Sequence, residues 1–205
     1  FKIGRWAKRF LSFVNLPVDE AYMRSYSYYD NKELEELVRE EHVHAIDKIR
    51  QEHKDLFYSK YNGDIINQMC YVDTQMFMQG LNLTYSDRAS MAASVEVRVP
   101  FIDKVVIEKA MQIPGHLKIK KNISKYILKK AAEDFLPKEI IYRPKASFGA
   151  PLRSWISSDL KNMVDDFLSE KSVNKRGLLN YSFVKNLIDK DRRGEEDYAY
   201  QIYQL

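Results

Sequence analysis

Between Tyr85 and Asp103 the sequence YSDRASMAASVEVRVPFID sets Asp87, Arg88, Glu96, Arg98 and Asp103 among small residues and closes on Val99, Pro100 and Phe101. Charges grouped among alanine and serine suggest a charged concavity rather than the solvated face of a helix. Arg88 carries the planar fork that can hold a phosphate or a carboxylate by two hydrogen bonds. Its neighbour Asp87 could orient magnesium or a basic partner. The bland alternative for these two is a buried ion pair that pins a helix. Glu96 and Arg98 are two apart, so on extended backbone they share a face and join an ion-pair network. Asp103 suits the cap of a following helix, and Pro100 and Phe101 suit packing.

A second run, YRPKASFGAP from Tyr142 to Pro151, holds Lys145 between Pro144 and Phe148-Gly149. A lysine in a turn fixed by proline and glycine supplies a point charge at a set place; without further information it reads as a surface lysine in a loop. Taken in this order, the two runs resemble the synthetase domain of glutamine-hydrolysing asparagine synthetases. There a DRxSMAxSxExRxPFxD block is followed some way on by RPKxxFxxP. The first block matches at essentially every position, whereas the second is shorter and gains weight from its spacing and order.

The resemblance implies a mainly α chain. It would be the helical C-terminal half of an adenine-nucleotide α-hydrolase-like (ATP pyrophosphatase) synthetase domain. The SGGxDS-type loop and the acidic GGDE-like segment of that family do not occur in these residues, so the parallel-sheet nucleotide half is absent. The activity implied for the parent enzyme is adenylation of the aspartate side-chain carboxylate by ATP and transfer of ammonia from glutamine, giving asparagine, AMP and pyrophosphate. A carboxylate acylates poorly until adenylated, and the charge on the departing pyrophosphate must be neutralised by magnesium and fixed cations.

By the same resemblance Lys145 lies beside the nucleotide phosphates and supports adenylation or the later proton transfers, and Glu96 is a catalytic carboxylate close to the site. From their side-chain chemistry, Arg88 joins Lys145 as a candidate to bind nucleotide or pyrophosphate, and Asp87 is the candidate metal ligand. ATP and Mg2+ are the implied cofactors. The implied partners are aspartate or another carboxylate, ammonia from glutamine, and a glutaminase domain fused upstream or separate; a homodimer is allowed. Relatives of this domain also aminate other carboxylates, including sugar acids in polysaccharide biosynthesis. The 205 residues alone would hold one wall of the site and be inactive. Two other classes fit the composition: a non-catalytic helical interaction module, and a binder of RNA or a phosphate-rich ligand using the basic loop 116–130.

Composition narrows the field. At 205 residues, with 45% hydrophobic and 30% charged side chains, the chain is a soluble globular type able to bury one sizeable core. A single helical domain over 1–205 is expected. The 33 basic residues are spread among 29 acidic ones, a net charge of +4, which speaks against nucleic acid as a partner. A single cysteine, Cys70, excludes an internal disulfide and suits a reducing cytosol. It sits in an apolar helical run and reads as an inert thiol. No apolar run approaches a membrane span and no secretory leader is evident, so a cytoplasmic location is expected. The chain starts Phe1-Lys2-Ile3 and stops at Leu205 within a helical composition, which reads as a fragment of a longer protein.

The elements that must position these residues read as helices. Ile3, Trp6, Ala7, Phe10, Leu11 and Val14 are at helical spacing. Tyr22, Tyr26, Tyr28 and Tyr29 suit the packing of a second helix better than a stacking platform for single-stranded nucleic acid. Asp30 and Glu33 form a capping box for a long helix whose stripe is Leu34, Leu37, Val38, Val43, Ile46 and Ile49. His42, His44 and His53 fall on its exposed faces, and the spacing of the first two is wrong for a metal pair. After an Asn62-Gly63 break, an apolar helical segment from Asp64, with Met69, Met76 and Met78 as soft packing, leads into the first block. A helix from Asp103 stops at Ile113-Pro114-Gly115. A basic loop follows, and Ser124 opens a helix to Leu136. Leu152, Trp155, Ile156, Leu160, Met163, Val164 and Phe167 face inward on one helix, and two more follow from about 181 and 195. No hairpin is expected.

Overall fold

A computed structural model describes residues 10, 11, 13–144 and 149–205. It is mainly helical, as the resemblance implies, with one two-stranded sheet among the described residues. The chain divides into two compact units, one from the described parts of Phe1–Glu52 and Ser147–Leu205, the other from those of His53–Ala146. Of the first predicted helix, Ile3, Trp6 and Ala7 lie outside the described residues, while Val14 donates from its backbone to Phe10 at 3.1 Å.

In the first unit each helix start has a local cause. Asp30 accepts from the Glu33 N–H at 2.8 Å and the Glu33 carboxylate accepts from the Asp30 N–H at 2.7 Å, completing the capping box of Asn31–Leu37. Ser169 and Asn180 cap the helices Glu170–Arg176 and Tyr181–Arg192. Gly177, at φ +71, ends the former in the left-handed region that glycine enters at least cost. Tyr29, Leu37, Leu152, Ile156, Val164, Leu168, Val173, Val184, Leu187, Ile188, Ala199 and Ile202 form the core. Of the tyrosine cluster Tyr29 packs as expected, its buried hydroxyl donating to the Gln201 carbonyl at 2.7 Å. Tyr28 and Tyr29 follow the helix Val18–Tyr26 rather than belonging to it. Tyr26 and Tyr28 are exposed, and Tyr28 stacks on Tyr200 at 5.4 Å.

Two expectations fail here, and one helix was not foreseen. The long helix after Asp30 stops at Leu37 and resumes at His44–Ser59, with a short 3-10 turn at Glu40–His42 between. Val38 instead bridges Leu179, the Arg39 N–H reaches the Leu178 carbonyl, and the Asn180 N–H reaches that of Leu37. The helix of 152–167 breaks at Ser158 into Leu152–Ser157 and Lys161–Phe167, which turns Trp155, Met163 and Phe167 outward. A further helix, Glu170–Arg176, was not foreseen.

The second unit has a thin core of Phe57 and Val72 with three buried polar side chains, His53, Asn67 and Gln68. His53 is therefore not on an exposed face; it lies against Phe57, ring centroids 6.4 Å apart. Polar satisfaction replaces apolar burial. Gln68 donates to the Phe57 carbonyl at 3.0 Å. Asn67 donates to the carbonyl of Ile113 at 3.0 Å and to Asp64 Oδ2 at 3.0 Å, and accepts from Lys118. Asp64 caps Ile65–Asp73 and also accepts from the Gly115 N–H at 2.7 Å. Desolvation works against the Asp64 charge, but hydrogen bonds from Gly115, Asn67 and Ile66 N–H groups, with the charge of Lys118, outweigh it and lower its pKa below the ordinary 3.8.

A depressed carboxylate stabilises the fold above its unfolded pKa and ceases to as pH falls through the folded one. Stability of this unit should thus decline below pH 3.8, and Asp64→Asn, less stable at neutral pH, should lack that part of the acid loss. Denaturation midpoints from pH 6 to pH 2 check this; parallel acid profiles for the two proteins would refute it.

Past Asp73 the backbone widens into a π-helix, Thr74–Leu83, before the α-helix Thr84–Ala92. Threonine hydroxyls bracket it: Thr74 Oγ1 donates to the Cys70 carbonyl and Thr84 Oγ1 to that of Gln79, five residues back. Cys70 is half-buried, and burial raises its thiol pKa, in keeping with an inert thiol. The basic loop and the helix start at Ser124 also need correction. Ile119–Lys120 and Ile123–Ser124 pair as a hairpin, with Lys121 and Asn122 both at positive φ, as a two-residue primed turn requires. The helix that follows is Tyr126–Ala132.

Candidate active site

Asp87 and Arg88 lie on Thr84–Ala92, a helix that buries none of its residues. Adjacent positions on a helix diverge, so they do not face each other, and both are exposed with no ion pair between them among the described residues. The buried-pair alternative is therefore set aside, and the block is an open surface rather than a concavity.

The helix ends in a closure that joins these residues to Glu96. Ser94, at φ +57, donates to the Met91 carbonyl at 2.9 Å, and the Val95 N–H reaches the Ser90 carbonyl at 3.0 Å. This is a Schellman motif with serine where glycine is usual. It turns the chain into the extended run 95–99, on which Arg98 Nη2 meets Glu96 Oε1 at 2.7 Å. The expected pair is present and wholly at the surface. Pro100–Ile102 then makes a 3-10 turn, and Asp103 caps Lys104–Gln112 by accepting from the Val105 N–H at 2.9 Å.

Lys145 lies outside the described residues. Its approach is held by a cluster that sequence reading missed. Tyr142 donates to Glu133 Oε1 at 2.5 Å, Lys130 donates to Glu133 Oε2 at 2.8 Å, and the Lys129 ammonium lies 5.6 Å from the Tyr142 ring centre. The hydrogen bonds from Lys130 and Tyr142 lower the Glu133 pKa, and the bond to Glu133 raises that of Tyr142. The lysine run 118–130 is thus partly engaged: Lys118 on Asn67, Lys120 over Tyr126, Lys129 over Tyr142 and Lys130 on Glu133.

A hollow in the first unit is lined by Glu35, Glu36, Arg39, Glu40, Glu170 and Tyr181, among others. Its acidic lining repels a triphosphate, and it contains none of the candidate residues. Among the described residues no group of three or more His, Cys, Asp or Glu is placed to hold a metal ion. Magnesium in nucleotide sites takes one or two carboxylates with the phosphates. Asp87, exposed and unpaired by any cation among the described residues, fits one such place. No helix among the described residues is long and apolar enough to cross a membrane.

A mainly helical chain built around this block is the helical portion of a synthetase domain. The chain belongs to the asparagine synthase family, whose model matches residues 6–205. It is 29% identical over 187 residues to asparagine synthetase [glutamine-hydrolyzing] 1 of Bacillus subtilis, covering 91% of this chain and 29% of that protein. It is 44% identical over 124 residues to asparagine synthetase [glutamine-hydrolyzing] 3 of the same organism, covering 60% and 20%. It is also similar, at 27% identity over 127 residues covering 58% and 19%, to amidase chyE of Penicillium rubens. The chain thus spans less than a third of the length of these relatives. No solved structure matches.

Proposed function

We propose that residues 1–205 are one helical portion of the synthetase domain of an ATP-dependent amidotransferase located in the cytoplasm. The complete enzyme adenylates the aspartate side-chain carboxylate and transfers ammonia from glutamine. The observation that carries this reading is the ordered pair of blocks, 87–103 and 142–151, in a chain that matches the family along nearly its whole length. In the first step the substrate carboxylate oxygen bonds to the α-phosphorus and pyrophosphate leaves. In the second, ammonia attacks the acyl carbon, AMP leaves and a proton is lost. Lys145 and Arg88 are the cations for the pyrophosphate, and Glu96 is the catalytic carboxylate. Asp87 would hold magnesium, which would supply neutralisation of phosphate charge. The 205 residues alone supply one wall and are inactive. A glutaminase domain, fused or separate, supplies the ammonia.

Glu96→Gln in the longer synthetase polypeptide tests this. The ion pair is at the surface, with side-chain exposures of 71% for Glu96 and 84% for Arg98, so its loss changes stability little. Aspartate-dependent pyrophosphate release should fall about tenfold or more with an unchanged melting midpoint. Full activity with normal melting would remove Glu96 from the site. A second reading is amidation of another carboxylate such as a sugar acid. Pyrophosphate release that ignores aspartate and responds to another acid would favour it.

A further inference from the structure

The hollow in the first unit has a volume of about 610 Å3, within the usual size of small-molecule sites. All of its walls come from this unit, and it shares no residue with the charged block. Val38, Arg39, Leu179 and Asn180 line it, so the backbone pairing of 37–39 with 178–180 fixes its bed. Arg39 is the one cation in the lining. It is half-buried and held: Nε donates to the Leu179 carbonyl at 3.3 Å and Nη2 to Asn174 Oδ1 at 2.9 Å. Glu35, Glu36, Glu40 and Glu170 share the lining, yet among the described residues none is within ion-pair distance of Arg39, and Glu36 is taken by Lys32 at 3.7 Å. Opposite charges kept apart around one space are completed by a ligand that carries both signs.

We propose that this hollow binds a free α-amino acid, with the Arg39 fork on its carboxylate and Glu170 on its ammonium. Glu170 and Asn174 lie four apart on one face of Glu170–Arg176, so Glu170 stands about one helical turn from the side chain that holds the guanidinium. That separation leaves room for a small molecule with both charges on one carbon. The helix Tyr181–Arg192 adds its N-terminus to the lining through Asn180, Tyr181 and Ser182, and that end of a helix favours a carboxylate. A purely anionic ligand meets the glutamates. A purely cationic one meets Arg39 and the helix N-terminus. A zwitterion sets each of its charges against the opposite one. Val38, Val43 and Leu179 offer apolar surface to the ligand's side chain. The site stands apart from the synthetase reading: it uses none of Asp87, Arg88, Glu96 or Lys145, and either can fail without the other.

Calorimetric titration of L-leucine and of L-glutamine into the 205-residue chain is the test. The N-acetyl derivative of each, without the ammonium charge, and the methyl ester, without the carboxylate charge, serve as controls. Saturable binding of at least one free amino acid is expected, with a Kd of about 1 mM or tighter, and both of its derivatives should bind about tenfold more weakly or worse. Glu170→Gln, which removes the charge facing the ammonium, should weaken binding about tenfold or more. Arg39→Lys should do the same, because lysine keeps the charge and loses the fork. Circular dichroism confirms that each variant is folded, and Glu170→Gln decides the matter if Arg39→Lys is not. Absence of saturable binding overturns the proposal, as do derivatives that bind as tightly as the free amino acid, or binding indifferent to Glu170→Gln. Binding by this chain that is lost in the longer synthetase polypeptide also overturns it, in favour of a hollow filled by the rest of that polypeptide.

Discussion

Lys145→Ala in the longer synthetase polypeptide should lower aspartate-dependent pyrophosphate release by about two to three orders of magnitude, the range seen when one preorganised charge or donor is removed from a transition state. A pyrophosphate leaving group accumulates negative charge as the bond to the α-phosphorus breaks. On the proposed reading the Lys145 ammonium meets that charge, with the fixed φ of Pro144 immediately before it in the sequence. Three residues before Lys145 in the sequence, the Tyr142 hydroxyl donates to Glu133. Lys145→Arg should recover little, because a longer planar group does not place its charge where the ammonium was. The melting midpoint should be unchanged. Unchanged turnover in Lys145→Ala would remove this residue from the site.

Gly115→Ala should be the most damaging single methyl group in the second unit. A Cβ at Gly115 would sit against the Asp64 carboxylate and 2.5 Å from the Ile66 Cβ. That space is occupied because the Gly115 N–H approaches closely enough to donate to Asp64 Oδ2 at 2.7 Å. The intruding methyl breaks this bond and disturbs the Asp64–Asn67–Lys118 network that stands in for a larger apolar core. Overpacking of this kind costs about 3 kcal/mol. Chemical denaturation measures the loss, and amide exchange should localise it to residues 64–68 and 113–118. Wild-type stability in Gly115→Ala would contradict the close approach.

Local chemistry was legible in the sequence. The Asp30–Glu33 capping box, the Asp103 cap and the Glu96–Arg98 pair each follow from side chains within a few residues of their partners. What stayed hidden depends on distant partners or on a local break that no periodicity marks. The break after Leu37 exists because Leu178–Asn180 offers backbone pairing to 37–39, a bargain no local periodicity reveals. Trp155, Met163 and Phe167 obey helical spacing yet face outward, because the turn at Ser158 resets the phase between two short helices. His53 looked like a surface histidine and is buried against Phe57. At the site, residue identities were legible and enclosure was not. The charged block suggested a hollow, whereas in these residues it is an open wall.

That openness sets the central measurement, calorimetric titration of MgATP into the 205-residue chain and, in parallel, into the longer synthetase polypeptide that carries it. A wall with Asp87, Arg88 and Glu96 but without a phosphate-binding loop should give no detectable heat up to millimolar nucleotide, while the longer polypeptide binds. Micromolar binding by the 205 residues alone, or no binding by the longer polypeptide, would contradict the account.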